Sequence, residues 1–162
     1  LTRGRALVGD ARIHGQFGRI RRDVLGQPRD PDTVRQDVAR MRCRMRGEFQ
    51  DRDLFKHGPG GLVDIDFLAQ LGVLEHAATD PLVLEATGTN EQLTALAATG
   101  WMERVQAERL CTVRETLCHA RHLTSIARQP DRYQPETGEA EVICRGILGA
   151  HAALWFSGSS AK

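Results

Sequence analysis

The sequence lacks any apolar run near the roughly 20 residues that a membrane-spanning helix needs. It also lacks a basic-then-apolar export signal at its N-terminus. The sequence also has almost no excess of charge of either sign, because 22 Lys and Arg residues are balanced by 21 Asp and Glu residues, for a net charge of +1. That balance gives no overall attraction to nucleic acid or anionic lipid. We therefore expect a cytoplasmic protein with neither nucleic acid nor a membrane as partner.

Cysteine is sparse, and its placement excludes two further classes. The four cysteines are far apart and form no CxxC pair, which argues against a disulfide framework and a zinc knuckle. His119 and His122 share helical spacing but have no distant third ligand, so we expect no metal site there. We expect reduced thiols, mostly in the core, at Cys43, Cys111, Cys118 and Cys144.

What the sequence does contain is an ordinary globular composition, with 41% hydrophobic and 27% charged residues. At 162 residues it is long enough to bury a core, and the length favours one domain over 1–162. Trp101 and Trp155 are expected to anchor that core. We find no convincing strand.

Two amphipathic helices are predicted in the first third of the chain. Asp10 is placed to cap the first, and Gly26 with Pro28 to end it, while Asp30 followed by Pro31 begins the second. We expect these two helices to pack as a hairpin. The apolar stripes are Ile13, Phe17, Ile20 and Val24 in the first, and Val34, Val38, Met41, Met45 and Phe49 in the second.

The rest of the chain is also predicted to be helical. Residues 62–74 are apolar on nearly every side, which is typical of a buried central helix. Thr89 and Gln92 have capping-box spacing for a short helix, and 101–128 contains no Gly or Pro and predicts a long one. A last helix carries Ala140, Ile143, Ile147, Ala150 and Leu154. The sequence therefore predicts an all-α bundle of about five to seven helices.

Arginines alternate through the second helix at Arg40, Arg42, Arg44 and Arg46. Together with basic residues of the first helix they would make a surface for an acidic partner or for phosphate. A solvated helix face balanced by nearby acidic residues is the interpretation we favour.

The most informative segment is 56–70, KHGPGGLVDIDFLAQ. A glycine-rich loop leading into a helix exposes backbone N–H groups that can bind an anion, and Lys56 would add charge. The alternative is a simple turn in which Asp64 stabilises the helix start, and the residues alone slightly favour it. Asp66 and Gln70 nevertheless need hydrogen bonds or a function, because they are costly to bury on this apolar helix.

A third interpretation treats Asp64 and Asp66 as metal-binding carboxylates of a nucleotidyltransferase core. Residues two apart share a face on a strand but not on a helix. The flanking sequence predicts a helix, and the glycine pair is too close, so we reject this interpretation.

The same segment resembles the glycine-rich motif in the helical domains of glutamine synthetase adenylyltransferase. The surroundings are similar as well, in 3–9, 20–22, 41–42 and the helix with Leu110, Arg114 and His119. One departure is Asp66, where the family usually has Glu. The matching residues are Lys56, Gly58, Gly60, Gly61, Asp64, Ile65, Asp66, Phe67 and Gln70.

The resemblance implies part of a bifunctional enzyme. One half attaches AMP from ATP to a tyrosine of glutamine synthetase and the other removes it by phosphorolysis, with ATP and Mg²⁺ required by the full-length protein. The chain looks more like the helical part of the C-terminal, adenylylating half. We expect it to be a piece of that longer polypeptide, with the catalytic nucleotidyltransferase core upstream of Leu1.

For the site, the resemblance implies a role in nucleotide binding or in bracing the nucleotide cleft. The residues concerned are Lys56, Gly58, Gly60, Gly61, Asp64, Asp66 and Gln70. By itself the chain is expected to be inactive and to hold neither ATP nor Mg²⁺ tightly. The implied partners are the upstream core, glutamine synthetase and a PII-type signalling protein. A non-catalytic module that binds one of these proteins is the alternative, and the related uridylyltransferase of nitrogen signalling fits the motif less well.

Overall fold

A computed structural model describes residues 1–49, 53–127 and 137–157. The regular structure in these ranges is helical, without a β-strand, so the predicted all-α bundle is confirmed. Six helices have ten residues or more: α1 (Ala11–Leu25), α2 (Pro31–Phe49), α4 (Leu62–His76), α6 (Thr89–Ala98), α7 (Arg104–Ala127) and α8 (Gly138–Leu148). Three are short: α3 (Leu54–His57), α5 (Pro81–Glu85) and α9 (Ala152–Phe156). None of the helices in these ranges has the length and apolarity that crossing a bilayer requires.

The helix starts follow from local side-chain chemistry. Asp10 accepts a hydrogen bond from the backbone N–H of Arg12 at 2.6 Å, and Asp30 accepts one from that of Thr33 at 2.9 Å. Each carboxylate satisfies a donor that the first turn leaves without a partner. Gly26 follows the last residue of α1. The predicted caps and the predicted end of the first helix are therefore confirmed.

Helix α4 lies at the centre of the bundle, as its sequence predicts. It packs against α2, α3, α5, α6, α7 and α8. The approach to α6 is close, because a side chain at Gly72 would meet Leu96 and Trp101. Its fully buried apolar residues are Ile65, Leu68, Ala69, Leu71 and Val73.

The predicted hairpin of the first two helices is wrong. Helix α2 packs along α4 and α9, and α1 is not packed along it. The buried Arg21 instead fixes α1 by donating to the carbonyl oxygens of Leu1, Thr2, Leu84 and Ala86. Most of the predicted apolar stripe of α1 faces outward. Within that stripe Ile13, Ile20 and Val24 are 52%, 56% and 41% exposed.

Two predictions about helix ends are also wrong. Helix α6 is capped at Gly88, whose N–H donates to Glu91 at 3.0 Å, and Thr89 does not form the predicted box with Gln92. The last helix is interrupted at Gly149, whose φ of +53° ends α8 before a 3₁₀ turn leads into α9. The predicted end of the long helix at Arg128 lies outside the described residues.

The tryptophans and cysteines agree with expectation in part. Trp155 is fully buried, and the partly buried Trp101 donates its indole N–H to Glu75 at 2.7 Å. All four cysteines are free thiols. Cys144 is a core residue, and burial raises the pKa of its thiol. The expectation of mostly core thiols is wrong, since Cys118 is exposed and the other two are half-buried.

Candidate functional site

The glycine-rich loop between α3 and α4 is buried against the start of α8. Gly60 has a φ of +69°, and an added Cβ there would meet the carbonyl oxygen of Thr137. A Cβ on Gly61 would lie 2.9 Å from the carbonyl oxygens of Gly58 and Phe55. The loop therefore needs glycine both for its backbone conformation and for close packing.

Asp64 is the centre of the site. It is fully buried in the first turn of α4. Its carboxylate accepts hydrogen bonds from Arg42 Nε at 2.5 Å, Arg46 Nη2 at 2.9 Å, the backbone N–H of Gly60 at 2.7 Å and Trp155 Nε1 at 3.0 Å. One side chain thus connects α2, the loop, α4 and α9. We call this group the closed cluster: Arg42, Arg46, Gly60, Asp64 and Trp155.

The closed cluster shows that the predicted solvated arginine face is wrong for two of its four members. Arg42 and Arg46 are 0% and 5% exposed, whereas Arg40 and Arg44 face solvent. Residues four apart lie on the same side of a helix, so alternate arginines separate into an inner and an outer pair. The inner pair exists because Asp64 provides a buried counter-charge.

In the closed cluster, each buried charge is stabilised by the opposite charge beside it. Burial lowers the pKa of Arg42, and the nearby carboxylate of Asp64 opposes that shift. An arginine remains protonated at neutral pH, so the buried charge has to be balanced by its neighbours. Arg42 also donates to the carbonyl oxygen of His57 at 3.0 Å, which connects the cluster to α3.

His57 is buried beside the cluster and stacks on Phe49, with ring centroids 4.8 Å apart. Burial is the main cause that lowers its pKa, and the positive charges of Lys56, Arg42 and Arg121 act in the same direction. Asp53 has the opposite effect. The fold therefore favours the neutral form of this imidazole.

Asp66 belongs to a second group at the surface, which we call the open cluster: Arg3, Asp66, Thr89 and Arg114. Arg3 Nη1 lies 2.9 Å from Asp66 Oδ2. Arg114 Nε lies 3.2 Å and the Thr89 hydroxyl 2.7 Å from Asp66 Oδ1. This group joins the N-terminal segment to α4, α6 and α7.

Gln70 supports the same junction from the next turn of α4. Its amide nitrogen donates to the carbonyl oxygen of Asp66 at 3.0 Å, and its Oε1 accepts from the Thr2 hydroxyl at 3.2 Å. The polar residues on this apolar helix are thus hydrogen-bonded, as their burial requires.

The structure separates the two carboxylates, as predicted for residues two apart on a helix. Asp64 faces α2 and α9, while Asp66 faces the N-terminal segment and α7. Across the described ranges, no three His, Cys, Asp or Glu side chains are grouped as metal ligands. His119 and His122 are exposed on α7.

Two of the loop's backbone N–H groups already have partners within the chain. The N–H of Gly60 donates to Asp64, and that of Gly61 donates to the carbonyl oxygen of Gly58 at 2.9 Å. Lys56 is exposed at the end of α3. Nucleotide binding by the 56–70 segment stays a prediction, and the geometry is that of a braced turn.

Most of the partners that complete these clusters were not predicted from the sequence. Arg42 and Arg46 were assigned to the surface, and Trp155 only to the core. Arg3 and Arg114 appeared only as part of a resemblance. The available signal was the i, i+4 spacing of Arg42 and Arg46 on the same side as the apolar stripe of α2.

Comparison with known proteins identifies the family of the chain. The family model described as GlnD PII-uridylyltransferase matches residues 34–131, which is more than half of the chain. The chain belongs to that family. Curated relatives carry the name bifunctional glutamine synthetase adenylyltransferase/adenylyl-removing enzyme, which confirms the resemblance carried by the glycine-rich motif.

Three of these relatives show how much is shared. The protein of Xanthomonas axonopodis pv. citri is 39% identical over 152 residues, 91% of the chain and 16% of the relative. That of Stenotrophomonas maltophilia strain K279a is 34% identical over 93% of the chain. That of Burkholderia mallei is 35% identical over 96% of the chain. The chain spans 16% of the length of each of the three. Those printed names describe an adenylyltransferase activity of the relatives themselves.

The closed cluster predicts a large stability loss for Asp64→Asn. The variant keeps the size of the side chain but leaves two buried guanidiniums without a counter-charge, which costs about 3–5 kcal/mol. Asp37→Asn is the control, because Asp37 is 67% exposed beside Arg40 and its loss costs about 0.5 kcal/mol or less. Urea unfolding measures both. Equal losses in the two variants would contradict the assignment of Asp64.

Because the pKa of the buried His57 is lowered, we expect the stability of the fold to depend on pH. The unfolded imidazole takes up a proton near pH 6.5, about its usual pKa, and the folded one resists protonation because its pKa is lowered. The unfolded state therefore binds more protons below that pH, and stability falls as the pH falls from about 6.5 toward about 5. His57→Gln should flatten this fall in urea unfolding, whereas the exposed His119→Gln should not. A wild-type stability that stays constant over this range would refute the prediction.

Proposed function

We propose that this chain is the helical part of an enzyme that transfers AMP from ATP to a tyrosine of glutamine synthetase. In this proposal it braces the nucleotide cleft that a nucleotidyltransferase core forms on the same polypeptide. The names of the relatives support the reaction, and their greater length supports a core outside the segment that the chain matches. By this proposal the chain does not catalyse the transfer alone.

The observation that carries the bracing role is the engagement of Asp64. Its carboxylate accepts a hydrogen bond from the Gly60 N–H of the glycine-rich loop. Its other hydrogen bonds come from Arg42, Arg46 and Trp155. A loop fixed in this way gives a neighbouring domain rigid support through its exposed positions, Lys56 and Pro59. Rigid support of this kind helps reacting groups to stay in position.

The carboxylates here do not fit the magnesium ion expected for the proposed AMP transfer. Asp64 is buried and accepts from four donors, and Asp66 accepts from two arginines and a threonine. Magnesium prefers oxygen ligands together with retained water molecules in an octahedral arrangement. We therefore assign no step in this chain to a metal and propose that the core provides its ligands.

The alternative function, a module that binds glutamine synthetase or a PII-type signalling protein, is favoured by a different observation. Helix α1 exposes an apolar stripe through Ile13, Ile20 and Val24, and Leu7 and Val8 before it are 72% and 91% exposed. Exposed apolar residues that form a contiguous patch mark protein interaction sites, so this stripe is a candidate for such a site.

A chimera tests the proposed function. This chain replaces the matching segment of the Xanthomonas axonopodis relative, and incorporation of labelled AMP into glutamine synthetase is measured. We expect activity in the chimera and not in the chain alone. Asp64→Asn should reduce chimera activity roughly tenfold or more, since loss of support displaces the reacting groups, while Asp37→Asn leaves it unchanged.

Two outcomes would count against this function. Activity of the chain alone would show that catalysis lies within it. An inactive chimera, together with saturable binding of the chain to glutamine synthetase that Ile20→Asp abolishes, would favour the binding module.

A further inference from the structure

The open cluster contains more positive charge than its carboxylate can balance. Arg3 and Arg114 both contact Asp66, so two guanidiniums share a single negative charge. Each guanidinium has five N–H donors, and the contacts to Asp66 use one N–H of each. The group thus retains a net charge of +1 and several donors.

The closed cluster has the same ratio of two arginines to one aspartate, which makes the comparison informative. Its side chains of Arg42, Arg46 and Asp64 are 0%, 6% and 0% exposed. In the open cluster the side chains of Arg3, Asp66 and Arg114 are 43%, 22% and 23% exposed. The closed cluster is inaccessible to a ligand, whereas the open one can be reached from solvent.

The open cluster is also held in place from several sides. The carbonyl oxygen of Thr2, next to Arg3, accepts from Arg21 at 3.0 Å and from Gln92 at 2.8 Å. Arg114 lies in the middle of α7, away from both helix ends. The two guanidiniums are therefore positioned before any ligand arrives, which lowers the entropic cost of binding.

We propose that Arg3 and Arg114 bind a phosphate group, and this inference rests on the proposed function only for the source of that phosphate. Guanidinium groups offer paired N–H donors that match phosphate oxygens, and a dianion balances the excess charge. Asp66 orients both arginines through one hydrogen bond each. It also limits the net charge, so the affinity of the site is moderate. Inorganic phosphate, pyrophosphate and the phosphates of ATP share this chemistry.

Calorimetry on the 162-residue chain tests the site directly. The titrants are phosphate, pyrophosphate, ATP and adenosine, at low salt and without magnesium. We expect the three phosphate compounds to bind and adenosine not to bind. Arg114→Gln should weaken binding roughly tenfold or more, since a hydrogen bond to a charged group is lost. Arg104→Gln is the control on the same helix, because the exposed Arg104 pairs with Glu108 at the surface, away from the open cluster.

Asp66→Asn separates ligand binding from structural support. It removes the competing negative charge, so phosphate should bind more tightly, by roughly threefold or more. A merely structural salt bridge predicts the opposite sign or no effect. Tighter binding by pyrophosphate than by ATP would identify free phosphates as the ligand, and the reverse order would identify a nucleotide.

The proposal is overturned if none of the three phosphate compounds binds saturably to the wild-type chain. It is also overturned if Arg114→Gln binds them as tightly as Arg104→Gln does, with both variants folded by circular dichroism. These measurements do not depend on the chimera. Phosphate binding with an inactive chimera would therefore support the site while counting against the proposed reaction.

Discussion

The buried carboxylate of Asp64 is the constraint on which the arrangement of this bundle depends. Two arginines of α2, the N–H of Gly60 and the indole of Trp155 all donate to it. Each of these groups would be costly to bury without that acceptor. The loop conformation, the position of α2 and the docking of α9 are therefore coupled through one side chain, and a change at any of them affects the others.

Much of the fold could be predicted from the sequence because it depends on local signals. Caps such as Asp10 and Asp30 and the apolar character of α4 act within a few residues. The missed features depend on distant contacts. Nothing near α1 in sequence shows that Arg21 would donate to carbonyl oxygens in and directly after α5, and that contact helps to hold α1 in place. A one-turn helix such as α3 is too short for periodicity to reveal.

For the candidate site, the sequence pointed to a segment that lies at the junction of the bundle, but not to the contacts that its residues make. Residues 56–70 do form the junction of the bundle, and Asp64 and Asp66 do face different ways. The sequence left open whether the loop binds an anion or is a turn. Side chains far along the chain, such as Trp155 and Arg114, supply the donors. Pairing over such separations cannot be derived from spacing in one sequence.

Amide hydrogen exchange at Gly60, followed by NMR, tests the central claim most directly. If Asp64 fixes the loop, the Gly60 N–H opens only when the whole bundle unfolds, so its protection equals that of core residues such as Ile65 and Leu68. The indole N–H of Trp155 should show the same protection, because it donates to the same carboxylate. Exchange of Gly60 as fast as that of the exposed Gly9 would contradict the account.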